Sequence, residues 1–394
     1  MPRRGDASGF SGPLTTIAVA GIALGVLVMV MAVSILRGFQ QDITDKVVGF
    51  GSHLTITAYD PSGLAYTETP ISIDSTLATD LTAIPGVRHM QAYATKGGMV
   101  KTETQIYGIL LRGIGESSDT TFYHQCLVDG TLPSDHNQVL ISSTIGAKLG
   151  LKVGDKMRTY FWQGDTYRPR AFIVSGIYNT DLTEMDQRYV VGSLHTVQRL
   201  NEWDSTQVGG YELLVDDFRT LDAAARRVAE RLPYDLRITT VKQAHPPLFS
   251  WLDLLNTNIT LILAIMCLVS AVAIVSALLI MIFEKSATIG LLKALGATNK
   301  SVRHIFLLKA SHLILRGIVI GDVVALLLSA IQLRWQPLRL DPESYSMTHV
   351  PVSVDPWVYV AVSLGTLAVC LLALLAPTAG ISRIHPADTM KVER

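Results

Sequence analysis

Residues 284–306 read EKSATIGLLKALGATNKSVRHIF, and the fold turns on what this stretch is. Its glycines and the Lys300-Ser301 pair suggest a phosphate cradle. A P-loop requires G-x-x-x-x-G-K-[ST], because consecutive backbone N–H groups must wrap the phosphates. Aligned on Lys300-Ser301, the required glycines fall on Ala294 and Asn299. Both are wrong, and the stretch follows an apolar run rather than a buried strand. It reads instead as helix, stop, helix. Lys285–Leu295 suits a short amphipathic helix with Ile289, Leu292 and Leu295/Gly296 on one stripe. Gly296 suits the left-handed residue that ends it. Thr298 or Asn299 can cap the next helix, with Lys300 and Ser301 in its first turn. A helix this short is marginal alone in water and needs a membrane surface or a partner groove.

Outward from this loop lie runs long enough to cross a bilayer core of about 30 Å, which takes roughly 20 apolar residues. The expected spans are 14–36, 258–283, 310–333 and 357–376. The first exceeds the roughly 7–15 apolar residues of a signal sequence. It carries Gly21-x-x-x-Gly25, a spacing that lets helices approach closely in lipid, and Gly317-x-x-x-Gly321 repeats that spacing in the third. Lys285, Lys293, Lys300, Arg303 and Lys309 face only Glu284 in the loop 284–309. Arg3, Arg4, Arg383, Lys391 and Arg394 flank the termini. By the positive-inside rule these segments are cytoplasmic: 1–13, the loop 284–309 and the tail 377–394. The segment 37–253 and the loop 334–356 then lie on the other side. Trp335, Trp357 and Tyr359 sit at the expected aromatic belt.

Composition agrees. Of 394 residues 49% are hydrophobic and only 17% charged, and the formal net charge is zero. Soluble domains carry roughly 25% charged residues. Zero net charge gives no general attraction to nucleic acid. Cys267 and Cys370 fall in spans and Cys126 stands alone in 37–253, so no disulfide framework is expected within the monomer. His89, His124, His136, His195 and His245 form no metal-binding spacing, and no G-x-S-x-G elbow occurs. No catalytic or metal site is expected.

The segment 37–253 reads as mixed α/β. HLTITA, QIYGILLRGI, RAFIVSGIY, YELLVDD and LRITTV read as strands. DSTLATDLTAIPGV, TIGAKLGL, VGSLHTVQRLNEW and TLDAAARRVAERL read as helices. Helix and strand occur on both sides of a more β-rich centre. This implies a split α/β subdomain with a second inserted at about 101–207.

With these residues in place the chain resembles the permease subunits of lipoprotein-releasing ABC transporters (LolC/LolE type), within the FtsX/MacB permease family. The resemblance covers nearly the whole chain. It rests on GIALGVLVMVMAVSILRGFQQDITDKVVGFGSHLTIT, on LLRGI and DGTLPSDHNQVLISSTIGAKLGLKVGD, on the loop EKSATIGLLKALGATNKSVRHIFL, and on HPADTMKVE near the end. The loop is the most specific part, and it marks the superfamily more strongly than the lipoprotein branch.

The resemblance implies four transmembrane helices with a large α/β extracytoplasmic domain of the MacB-like periplasmic core type, in the inner membrane. It implies a non-catalytic subunit with no cofactor of its own. ATP and Mg would belong to a separate ABC ATPase, two copies of which join a homo- or heterodimer of permeases. Hydrolysis would drive release of a lipoprotein from membrane lipid to a periplasmic carrier. On that reading Glu284, Lys285, Ile289, Gly290, Leu292, Lys293, Leu295 and Gly296 couple to the ATPase. Met31, Ile35, Leu36 and Phe39, with Leu255, Ile259 and Leu263, face lipid or substrate. Gly21, Gly25, Gly317 and Gly321 pack helices. A MacB-like efflux permease and an FtsX-like regulator of cell-wall hydrolases are the alternatives. The family has a longer cytoplasmic segment before the first span. Here only MPRRGDASGFSG precedes Pro13, so the start is either truncated or lacks that helix.

Arg316 and Asp322 fall within the third span, where each costs about 2.5–3.5 kcal/mol at a helix centre. Six residues apart, they lie about 240° around the helix and are poor partners. Two readings remain open. One is an interior polar contact or proton path. In the other, Arg316 snorkels toward the cytoplasm and Asp322 pairs with another span.

Overall fold

The computed structural model describes residues 11–59, 68–102, 105–163, 166–340, 347–375 and 377. The HPADTMKVE stretch, Arg3, Arg4, Arg383, Lys391 and Arg394 lie outside the described residues. The chain divides into two compact units. One comprises residues 1–40, 251–339 and 350–394, the other 41–250 and 340–349.

The first unit is a helical bundle. Its spans are α1 (Ser11–Phe50), α9 (Pro246–Glu284), α11 (Asn299–Trp335) and α12 (Pro356–Ala373), each long and apolar enough to cross a membrane. The short α10 (Ser286–Ala294) links α9 to α11. α1 and α9 exceed the spans expected from hydropathy, and each also contributes residues to the second unit. Beyond Leu36 the chain turns polar, but Gln40, Asp42 and Lys46 favour no break, and Ile43 and Val47 keep the helical repeat. Hydropathy marks where lipid ends, not where the helix ends.

Glycine sets how closely the helices approach. A Cβ on Gly25 would stand 2.3 Å from Ser270 Oγ of α9. One on Gly321 would stand 2.6 Å from the Ala23 carbonyl oxygen of α1, and one on Gly317 2.8 Å from the Ile22 side chain. The two G-x-x-x-G stretches therefore put α1 between α9 and α11. Ile22, Val26, Met29 and Val30 are buried there against Ile274, Leu278 and Ile314. At one end of the bundle Arg37 of α1 forms an ion pair with Asp355, which also caps α12 through the N–H of Trp357 at 3.0 Å. Ser353 N–H donates to the Ser34 carbonyl at 3.0 Å.

The second unit holds a ten-stranded sheet in the order β10-β1-β9-β2-β3-β8-β5-β7-β4, with β6 paired to β2 and β7. The strands are β1 (Leu54–Ala58), β2 (Val87–Lys101), β3 (Ile106–Ile114), β4 (Leu127–Gly130), β5 (Gln138–Ser142), β6 (Lys156–Gln163), β7 (Thr166–Tyr178), β8 (Tyr189–Ser193), β9 (Gly210–Val215) and β10 (Leu236–Thr240). β2 joins the two parts of the sheet. Its first half pairs with β9 and its second half with β3. The helices are α2 (Ser75–Thr82), α3 (Thr121–Cys126), α4 (Ser143–Leu149), α5 (Thr183–Asp186), α6 (Leu194–Asn201), α7 (Leu221–Ala229) and α8 (Val241–Ala244). Val139, Ile141, Ile145, Phe161, Phe172 and Val197 lie in one core.

The stretch VGSLHTVQRLNEW, read as one helix, is divided. Its first residues complete β8 and the helix starts at Leu194. Val190 and Val191 are fully buried and pair with β3 and β5 on either side. Central pairing overrides the helical periodicity there.

Candidate functional site

The loop 284–306 forms the structure that its sequence dictates. Gly296 has φ +97°. Its N–H donates to the Lys293 carbonyl at 3.0 Å, and the Ala297 N–H donates to that of Leu292 at 3.0 Å. This pair of bonds is a Schellman stop, which satisfies carbonyls that the helix end leaves open. Thr298 then accepts the Ser301 N–H at 3.2 Å and starts α11. Lys300 and Ser301 lie in the first turn of that helix.

The expected coupling residues separate into two groups. Ile289 is 1% exposed and joins Val302 and Phe306 in the bundle core, with Gly290 also buried. These two turn inward and hold α10 in place, so Ile289 is corrected from a surface contact to an anchor. Leu292 and Leu295 stay outward, at 37% and 78% exposure. Leu291, which the spacing argument overlooked, joins them at 60%. Glu284 and Gly296 are exposed, and Lys285 and Lys293 are half-buried. The α10 segment thus offers a leucine surface beside charged groups, while its opposite side fixes its position on the bundle.

The expected lipid-facing set lies more inward than its sequence suggests. Leu36 is 8% exposed. Met31 and Leu263 pack against the bundle core. Ile35, Leu255 and Ile259 are half-buried, and Phe39 meets Trp251 edge-on with ring centroids 6.4 Å apart. Leu255, Ile259 and Leu263 recur every four residues, the repeat of a single helix face. The open faces carry Leu24 on α1 and Leu254, Leu261, Ile262 and Ile265 on α9. Hydropathy does not separate these faces, because both are apolar.

The second unit contains a cavity of about 1100 Å³ that sequence reasoning missed. Thr55, Thr57, Tyr93, Thr95, Arg112 and Glu212 line it. In β1 Thr55 and Thr57 alternate with buried Leu54 and Ile56, so this strand turns its polar face to the cavity. That alternation is the signal the sequence carried. Arg112 donates to Glu212 at 2.6 Å and lies 5.4 Å from the ring centres of both Phe50 and Tyr93. Burial, the largest influence, works against the guanidinium charge, but Glu212 together with Tyr123 and Tyr189 outweighs it and the pKa rises. Glu68 accepts from the Thr95 N–H at 2.8 Å and from the Thr95 hydroxyl. Burial raises its pKa despite these bonds. The pairing of charges and the ring contacts make this corner a rigid brace under the sheet.

Among the described residues no group of three or more His, Cys, Asp or Glu could hold a metal ion. The rings of His136 and His195 meet at a tilt of 35° with centroids 4.6 Å apart. Burial raises the pKa of the Cys126 thiol to about 11.

A bundle of four spans with an α/β domain inserted after the first, and a short helix held between the second and third, defines an FtsX/MacB-type permease. The chain belongs to the family of the MacB-like periplasmic core domain, whose model matches residues 15–231, and the FtsX-like permease C-terminal model matches residues 260–386. It is similar to the lipoprotein-releasing system transmembrane protein LolC of Xylella fastidiosa (strain 9a5c), 24% identical over 408 residues, which are 98% of this chain and 95% of that one. It is also similar to the lipoprotein-releasing system transmembrane protein LolE of Haemophilus influenzae, 22% identical over 395 residues, 94% of this chain and 92% of that one. Among solved structures, the periplasmic region of MacB from Actinobacillus actinomycetemcomitans is 13% identical with a TM-score of 0.35, covering 51% of this chain and 95% of that one.

Proposed function

We propose that this chain is the permease subunit of an inner-membrane ABC transporter that releases lipoproteins toward a periplasmic carrier. The observation that carries the reading is similarity over nearly the full length to relatives named as lipoprotein-releasing proteins, spans and inserted domain together. The outward leucines of α10 support a second element of it. Leu291, Leu292 and Leu295 give a separate ATPase an apolar contact on a helix that the bundle already holds in place. ATP and Mg belong to that ATPase, in two copies, and this chain is non-catalytic. A second permease, identical or related, completes the assembly. Residues 284–309 and both termini are cytoplasmic and residues 37–253 periplasmic.

The test is reconstitution with the cognate ATPase in proteoliposomes loaded with an acylated lipoprotein. Lipoprotein leaves the vesicles only when ATP and a soluble acceptor are both present. Retention of several different acylated substrates, with the ATPase active, overturns the lipoprotein reading in favour of an efflux or regulatory permease.

A further inference from the structure

Asp322 lies near the middle of the third span, where an ionised carboxylate is costly. Its Oδ2 accepts the Ser363 hydroxyl of α12 at 2.7 Å. Its Oδ1 is shielded and has no hydrogen-bond partner. The groups around it supply no compensating charge. Gly321 packs on Ala23 and Val26 of α1, which are apolar. α12 presents Ser363, with Tyr359 a turn away, and no ion pair among the described residues involves Asp322. Arg316 is exposed, about 240° around the same helix.

From Asp322 a file of polar groups runs toward the end of the bundle where α11 finishes. Four residues along α12 from Ser363 in that direction, a rise of about 6 Å, is Tyr359. Its hydroxyl lies 3.3 Å from Ser329 Oγ. Next along α11, Gln332 donates to the carbonyls of Leu338 and Val350 at 3.2 and 3.0 Å, in the loop beyond the span. Toward the opposite end the surroundings are apolar. Ile318, Ile314, Leu313 and Ala310 are buried, and the Thr366 hydroxyl is bonded to the Val362 carbonyl of its own helix at 2.8 Å. The carboxyl therefore has a polar route to one side of the membrane and an apolar barrier to the other.

We propose that Asp322 is a proton-binding site within the membrane, loaded through Ser329, Tyr359 and Ser363 from the side on which α11 ends. In the empty state the Ser363 O–H donates to Oδ2. On loading, Ser363 passes that proton to Oδ2 and takes a replacement from the Tyr359 side. The bond reverses, Oδ2–H donates to Ser363 Oγ, and one proton has been bound with no other change in charge. The site reads the pH of one compartment from inside the membrane.

The experiment uses the full chain in sealed liposomes whose orientation is fixed by protease cleavage within residues 41–250. A hydrophobic carbodiimide reacts with the neutral acid only: the carboxyl oxygen adds to its central carbon and the proton moves to nitrogen. Mass spectrometry reads the adduct on the Asp322 peptide. Above the midpoint, yield rises about tenfold for each unit by which pH is lowered on the α11-end side, as one-proton binding requires. It ignores the pH of the other side. Asp322→Asn removes the adduct, and Ser329→Ala with Tyr359→Phe slows the response about tenfold or more. Infrared titration of the carboxyl C=O band in the unaltered protein gives the same answer if the variants do not fold. A yield that follows the opposite side, ignores pH on both sides, or is zero in folded protein overturns the proposal.

Discussion

The carboxylate of Glu212 lies 2.6 Å from the guanidinium of Arg112, both buried beneath the sheet of the second unit. Gln91 donates to the other Glu212 oxygen at 2.9 Å. Removing one charge strands the other. Glu212→Leu or Arg112→Met alone is expected to cost about 3–5 kcal/mol, whereas the double replacement loses much less. Denaturation of the full chain in detergent, run as a double-mutant cycle, measures the coupling. Additive losses would mean that the pair is not the brace described.

The glycines supply a contrast within one protein. Gly321→Ala drives a methyl to within 2.6 Å of a backbone oxygen of α1, and Gly25→Ala meets the more adjustable Ser270 hydroxyl at 2.3 Å. A Cβ at Gly365 of α12 meets nothing within 4 Å. Gly321→Ala is expected to destabilise by about 1–3 kcal/mol, Gly25→Ala by less, and Gly365→Ala not at all. Thermal unfolding in detergent ranks the three.

Leu291→Asp and Leu295→Asp are expected to leave the fold stable and to reduce co-purification of the proposed ATPase, because both side chains are exposed. Ile289→Ala does the reverse: it opens a cavity and costs about 2–5 kcal/mol. Unfolding curves and pull-down of the ATPase, taken together, separate contact from anchor. Loss of stability in the leucine variants would contradict the assignment.

His53 Nδ1 accepts the Val215 N–H at 3.1 Å, so a proton on that nitrogen breaks the bond. Burial, then the charge of Arg88, pushes its pKa down from 6.5 to about 4. The folded state therefore favours the neutral ring and the unfolded chain binds the proton first. His53 contributes its full stabilisation above pH 6.5 and loses it as pH falls toward about 4. Replacing His53 by Gln should flatten the stability profile across that window. An unchanged slope would refute the assignment.

Much of this architecture was legible because lipid imposes coarse rules. Run length gave the spans, and Gly296 with Thr298 gave the stop and restart around the short helix. What hydropathy could not reveal was direction around a helix. Leu36 and Leu24 look alike in sequence, yet one is buried and the other exposed, because glycine spacing on α1 decides which side receives a neighbour. Ile289 and Leu291 differ too, because one side of α10 packs on Val302 and Phe306 and the other is open. The cavity was missed because Arg112 and Glu212 are 100 positions apart, and only the pairing of β2 with both β3 and β9 brings their strands into one sheet. The long β2 carries Gly97-Gly98 and three basic residues, a composition that masks a strand.

The hydrogen bond from Ser363 to Asp322 also bears on how the protein is made. When the third span leaves the ribosome it carries Arg316 and Asp322, which together oppose its entry into lipid by about 5–7 kcal/mol. Ser363 lies 41 residues further on and has not yet emerged. The third span is thus a poor candidate to enter the bilayer by itself, and the partner that relieves its carboxylate arrives with the fourth. Biogenesis should deliver the two as a helical hairpin, and a chain halted before residue 363 should leave its third span waiting at the insertion machinery.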